Sequence, residues 1–173
     1  MILLQREYAR ASREKRIYNL TQATKVGILY YCKDEETYER ISKFVKKLQG
    51  AGKTVKALGY VESKSLTGQF LPKLSYDYLY PNGLSWSYKP VSVQAKDFID
   101  SNYNILIDLS LEESVPLLYI TALSKASFKA GLQSKNRSNY LDLMISLPED
   151  GELDELMKQV YHYLTEINKE NES

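Results

Sequence analysis

A three-layer α/β domain with a mostly parallel sheet is predicted by three features of the sequence. The run Ile105-Leu106-Ile107-Asp108-Leu109 is apolar but for one carboxylate, as an inner strand covered on both faces must be. A polar, acidic turn from Ser110 to Ser114 follows, then a charge-free stretch from Val115 to Leu123 and a new apolar run from Phe128, which together make the strand-helix-strand unit of parallel folds. A second such unit lies earlier: Lys25 to Cys32, an amphipathic stretch stopped at Gly50 and Gly52, and Thr54 to Val61. Crossovers of this kind are right-handed, so a Rossmann-like or flavodoxin-like sheet of about five strands in the order 2-1-3-4-5 is expected. The 173 residues suffice for one domain with a sizeable core and not for two.

Taken in order, residues 1–22 read as an N-terminal amphipathic helix running from Leu3 to about Leu20, with Leu4, Tyr8, Ala11 and Tyr18 near helical spacing. Lys25 to Cys32 is the first strand. Asp34, Glu35 and Glu36 suit the positive end of the next helix, whose apolar stripe is Tyr38, Ile41, Phe44, Val45 and Leu48. Residues 63–93 depart from the rhythm: Leu74, Tyr76, Tyr78 and Tyr80 alternate before Asn82-Gly83, and Leu84, Trp86 and Tyr88 alternate after it. Asn-Gly is the strongest short-range turn signal, so a tyrosine-rich antiparallel hairpin or irregular insertion is expected, ending at Lys89-Pro90. Gln94 to Ser101 is a short helix. In the central unit Ser114 is placed to cap the helix and Pro116 is tolerated in its first turn. That helix has almost no polar face, so the rest of the chain or another subunit must cover it on more than one side. Phe128 to Gln133 and Tyr140 to Leu147 are the last strands, Leu153 to Ile167 the last helix, and residues 168–173 a polar tail.

Composition narrows the function classes. A formal net charge of +1 gives no global field for nucleic acid or membrane. The charge is uneven: Arg6, Arg10, Arg13, Lys15, Arg16 and Lys25 against Glu7 and Glu14 make the first 25 residues basic, whereas residues 149–173 are strongly acidic. No apolar run approaches the length of a membrane span, no secretory segment opens the chain, and Cys32 is the only cysteine. A cytoplasmic protein is expected.

Neither the dinucleotide fingerprint nor the P-loop motif occurs, and one His with one Cys excludes the usual zinc sites, so no cofactor or metal is implied. In the expected topology ligands bind where the carboxyl ends of the first and third strands diverge. Cys32, Lys33 and Asp34 would there meet Asp108, Ser110, Glu112 and Glu113, the candidate ligand site. Clustered carboxylates bind Mg2+ or share a proton; alternatively Asp108 accepts from turn amides while Glu112 and Glu113 are solvated helix-start acids. Cys32 is either a low-pKa nucleophile or a small buried hydrophobe. His162 stands on the last helix, far in sequence from any nucleophile. Tyr76, Tyr78, Tyr80, Trp86 and Tyr88 are the candidate partner surface, or else cover a sheet edge. Lys125, Lys129, Lys135 and Arg137, with no acid among them, bind phosphate or pair with the acidic last helix, and the second is favoured.

Two resemblances accompany these motifs. Trp86, Lys89-Pro90, Asn104-Ile-Leu-Ile-Asp-Leu-Ser110, Pro116-Leu-Leu-Tyr119 and Ser127-Phe-Lys-Ala-Gly131 resemble a family of small uncharacterised bacterial proteins, a domain of unknown function, which implies no activity. Lys25-Val-Gly-Ile-Leu29 with Ile105 to Leu109 and Lys129-Ala-Gly131 is more distantly similar to the N-terminal Rossmann-like half of heptosyltransferase-type glycosyltransferases. In those enzymes a second half holds most of the donor nucleotide, and this chain has no room for one, so the resemblance implies fold rather than catalysis. The leading expectation is a non-catalytic module that binds a protein partner or itself. The alternatives are a small-ligand or nucleotide-sugar-related enzyme or receptor at the strand ends, and RNA or acidic-partner contact through the basic N-terminal helix.

Overall fold

The computed structural model describes residues 2–63, 70 and 72–168. In chain order the elements are α1 (Ile2–Arg10), β1 (Lys25–Tyr31), α2 (Glu35–Gly50), β2 (Thr54–Tyr60), β3 (Tyr76–Leu79), α3 (Val93–Asp100), β4 (Ile105–Asp108), α4 (Val115–Leu123), β5 (Phe128–Leu132), β6 (Leu143–Ile145) and α5 (Leu153–Glu166). One six-stranded sheet runs β3-β2-β1-β4-β5-β6, and every neighbouring pair is parallel. The five inner and right-hand strands follow the order read from the sequence; β3 is an additional edge.

Side chains alternate across the sheet, so each strand feeds two cores. Val26, Ile28 and Tyr30 of β1 and Ile105 and Ile107 of β4 face α2 and α5, meeting Ile41, Val45, Leu48, Leu156 and Val160. Leu29, Leu58 and Leu106 face the opposite layer, where Phe98 of α3 and Leu117 and Ile120 of α4 lie. With both faces covered, all four residues of β4 are buried. The helix α2 begins where Asp34 accepts from the amide and hydroxyl of Thr37 at 2.8 and 2.7 Å. It ends in a Schellman arrangement: Gly52 at φ +79 lets its amide reach Gln49 O and that of Lys53 reach Leu48 O.

Three expectations are corrected. The N-terminal helix stops at Arg10 rather than near Leu20: residues 11–19 have no regular secondary structure, and Arg13 among them turns inward. Its guanidinium donates to both oxygens of Asp142 at 2.7 and 2.8 Å and to Ser127 O at 2.8 Å. Of the two readings of residues 63–93, the described part is an irregular insertion and not an antiparallel hairpin across Asn82-Gly83; residues 64–69 and 71 lie outside the described ones. Tyr76–Leu79 pairs parallel with β2, and Pro81–Gly83 is a single 3-10 turn leading away toward α3. The alternation read there is real, but it reflects Tyr76 and Tyr78 entering the core beside α2. Lys125, Lys129 and Arg137, expected to pair with α5, are engaged elsewhere: Lys125 meets Asp100 at 2.7 Å, while Lys129 and Arg137 are buried.

The apolar helix α4 is covered from within the chain. α3 and β1 cover its inner side, and α1 lies across its outer side, where Leu4 and Tyr8 meet Leu118, Tyr119, Ala122 and Tyr140. Ser114 holds the cap position without a side-chain cap bond, and Pro116 sits in the first turn as expected.

Candidate functional site

The carboxyl ends of β1 and β4 diverge around a cavity of about 250 Å³ lined by Tyr31, Lys33, Asp34, Leu109, Glu112 and Glu152, among others. Three of the seven sequence-named residues, Lys33, Asp34 and Glu112, therefore share it. Cys32, Asp108 and Ser110 are buried and Glu113 turns elsewhere.

Asp108, 1% exposed, is occupied by its own fold. One oxygen accepts from the Ser110 amide at 3.0 Å and the other from the Thr121 hydroxyl at 3.0 Å, with Arg137 Nε at 3.9 Å. Arg137 in turn donates to Ser110 O and Glu112 O, each at 2.6 Å, so the loop after β5 holds down the loop after β4. Gly131 is required beside it: a Cβ there would lie 2.9 Å from the Asp108 carbonyl oxygen, where only backbone could yield. Glu113 is bonded by Asn136 at 2.5 Å; the Ser134 hydroxyl and then Asn136 hold its carboxyl below the usual range.

Cys32 is 1% exposed, and burial, then the charge of Asp34, pushes its thiol up to about 12. A thiol so disposed is a poor nucleophile at neutral pH. The cap bonds from Thr37 hold the Asp34 carboxyl below its ordinary range. That carboxylate already occupies the α2 N-terminus, the position where parallel folds often receive a phosphate. Among the described residues no group of three or more His, Cys, Asp or Glu side chains is placed to hold a metal. His162 is exposed on α5, beside Tyr163.

The aromatic candidates separate cleanly. Tyr76 and Tyr78 are buried and Tyr80 is half-buried, donating to Phe70 O at 2.9 Å. Trp86 and Tyr88 face solvent, 89% and 60% exposed. Their loop is nonetheless firmly built. The Ser85 amide donates to Lys89 O at 2.9 Å and Ser85 O accepts from Tyr88 N at 3.0 Å. Ser85 Oγ accepts from the amides of Ser87 and Lys89. Tyr88 sits at φ +61, a left-handed conformation that costs a bulky residue on the order of 1 kcal/mol. Such strain persists only where the surroundings impose it. Lys89 ties the loop to α1 through Glu7 at 2.7 Å.

Several structurally decisive groups escaped the sequence. Lys129, fully buried, donates to Thr121 O at 2.7 Å and Ala122 O at 3.0 Å, near the carbonyl end of α4; burial pulls its ammonium down to about 7. Arg13, Thr121 and Arg137 likewise act inside the fold. Only the single lysine within the apolar run Phe128 to Leu132 hinted at such a role.

Among curated proteins nothing matches the chain. Among solved structures it is similar to the E. coli heptosyltransferase WaaC with ADP, at 12% identity and a TM-score of 0.46, over 80% of this chain and 46% of that one. The chain thus spans less than half the length of that enzyme. No helix among the described residues is long and apolar enough to cross a membrane. The family profile that matches covers residues 3–167, and the chain belongs to the family of unknown function DUF6913.

Proposed function

We propose that this protein is a non-catalytic module that binds a partner protein, with the Trp86 loop at the centre of the contact. The observation that carries it is a tryptophan 89% exposed on a loop cross-bonded by Ser85 and strained at Tyr88. Tryptophan and tyrosine held rigidly in solvent are the residues that dominate binding energy at protein interfaces. The candidate ligand residues argue the same way by default, since Asp108 is bonded within the fold, Cys32 is buried with a raised pKa, and His162 lies on a remote helix. Self-association through α4 loses its motive, because α1 and α3 cover that helix. A different protein is the better occupant of the Trp86 surface.

A photo-crosslinking amino acid placed at position 86 in living cells tests this, with Met144, 42% exposed on the far edge strand, as the control position. A discrete adduct is expected from position 86 and none from 144. Once the partner is identified, Trp86→Ala should weaken its binding by at least ~10-fold without lowering thermal stability. Equal crosslinking from both positions would remove the proposal.

A second reading, a small-ligand receptor, is supported by the cavity at the diverging strand ends. It predicts that fragment binding perturbs the amides of Lys33, Asp34 and Glu112 together. Fragments that perturb these three no more than exposed residues elsewhere count against it.

A further inference from the structure

The loop and the first helix form one surface. Leu3, Glu7 and Arg10 fall at i, i+4 and i+7 along α1 and therefore share a face. Lys89 Nζ lies 2.7 Å from Glu7, so an ion pair joins that face to the loop carrying Trp86 and Tyr88. Leu3, on the same helix face, is 42% exposed. The salt bridge uses up the single acid of α1, leaving Arg10 and its neighbour Arg6 exposed with no acidic partner among the described residues. The surface thus presents two aromatic rings and an aliphatic side chain bordered by two uncommitted guanidinium groups.

Such a composition selects its ligand by charge as well as shape. Guanidinium forks match carboxylates in bidentate geometry, and exposed rings take apolar anchors. Nucleic acid fits less well, because backbone tracking needs several free cations. Of the other arginines in the first 25 residues, Arg13 is bonded to Asp142 and Arg16 lies over the Tyr18 ring at 4.8 Å. We infer that the face made by Trp86, Tyr88, Leu3, Arg6 and Arg10 receives an acidic peptide segment of the partner, one whose carboxylates flank a large apolar residue. This rests on the partner-binding reading above and specifies its chemistry.

The test is selection from a tryptophan-free random peptide library displayed on phage, using the whole protein as target and Trp86→Ala as the counter-target. Trp86 is the only tryptophan, so its emission reports occupancy directly. The expected peptides carry Asp or Glu within a few residues of Phe, Leu or Ile and shift the Trp86 emission. Their affinity should fall about tenfold in the R6Q/R10Q double variant and fall again at high salt. Circular dichroism of that variant should be unchanged, since both side chains are exposed and unpaired.

Peptides that need Trp86 yet lack acidic residues and ignore R6Q/R10Q would overturn the acidic specificity while leaving the Trp86 surface standing. Peptides that bind Trp86→Ala equally well, or a library from which nothing is enriched, would overturn both. A single-stranded RNA homopolymer that shifts Trp86 emission more tightly than any peptide would overturn the inference in favour of a nucleic-acid ligand.

Discussion

At the scale of single residues the decisive contact is Thr121 to Asp108, 3.0 Å between two fully enclosed side chains. A buried carboxylate is tolerated only when its lone pairs are met, and Thr121 supplies the one side-chain hydroxyl that does so. Thr121→Val keeps the shape and removes the donor, so it should lower stability by about 1–3 kcal/mol, measured by urea unfolding. Thr121→Ser, which keeps the hydroxyl, should recover most of that. An unchanged unfolding midpoint in the valine variant would mean that the carboxylate does not depend on this bond. Asp108 was legible as the only charge in an apolar strand, and the reading in which it accepts from turn amides is realised at Ser110. Its other partners were not legible: Thr121 and Arg137 lie 13 and 29 residues further on, and nothing local in either segment announces a buried charge to neutralise. Lys33, Asp34 and Glu112 are the opposite case: the expected strand order already placed them at one switch point, and they line one cavity there.

At the scale of elements, the N-terminal arm is held more by one arginine than by its helix. A nine-residue helix is marginal alone, and α1 contributes Leu4 and Tyr8 to the cluster over α4. Arg13, with its side chain 9% exposed, bonds Asp142 twice and the carbonyls of Ala126 and Ser127. Arg13→Ala leaves a largely enclosed aspartate without that partner and should cost about 2–4 kcal/mol. Amide exchange should accelerate across residues 2–16, and dye binding should report newly exposed surface on α4. Arg13→Lys should behave almost as badly, because an ammonium cannot span both oxygens and two carbonyls. If exchange in the arm stays slow in both variants, α1 is anchored by apolar contact alone. Helical periodicity overextended this element because Ala11 and Tyr18 fit the spacing by chance, while the inward demand of Arg13 is tertiary. The Asn82-Gly83 signal failed for a related reason: alternation marks a strand but not which neighbour it pairs with, and β2 offered a parallel edge.

At the scale of the whole molecule, the order of the five principal strands was legible because long apolar runs and helix stops specify a right-handed crossover almost uniquely. What was not legible is how many ionisable groups the fold encloses, and these set its response to pH. Lys129 has its pKa lowered from 10.5 to about 7 by burial. Between those values the unfolded chain holds a proton that the folded one has released. Raising pH in that window therefore favours folding, by at most about 1.4 kcal/mol per pH unit. Cys32 has the opposite sign, because its pKa is raised from 9.0 to about 12 and its stabilising protonated form is lost from the unfolded state first. Tyr60 and Tyr103, raised by burial from 10.0 to about 12, add to that loss at higher pH. Stability should thus climb from pH 7 to about 9, level off, and fall steeply above about 10. Urea unfolding across this range checks it, and Lys129→Met identifies the source. That variant should abolish the rise below pH 9 and keep the alkaline fall, whereas a rise that survives it would assign the effect to another group.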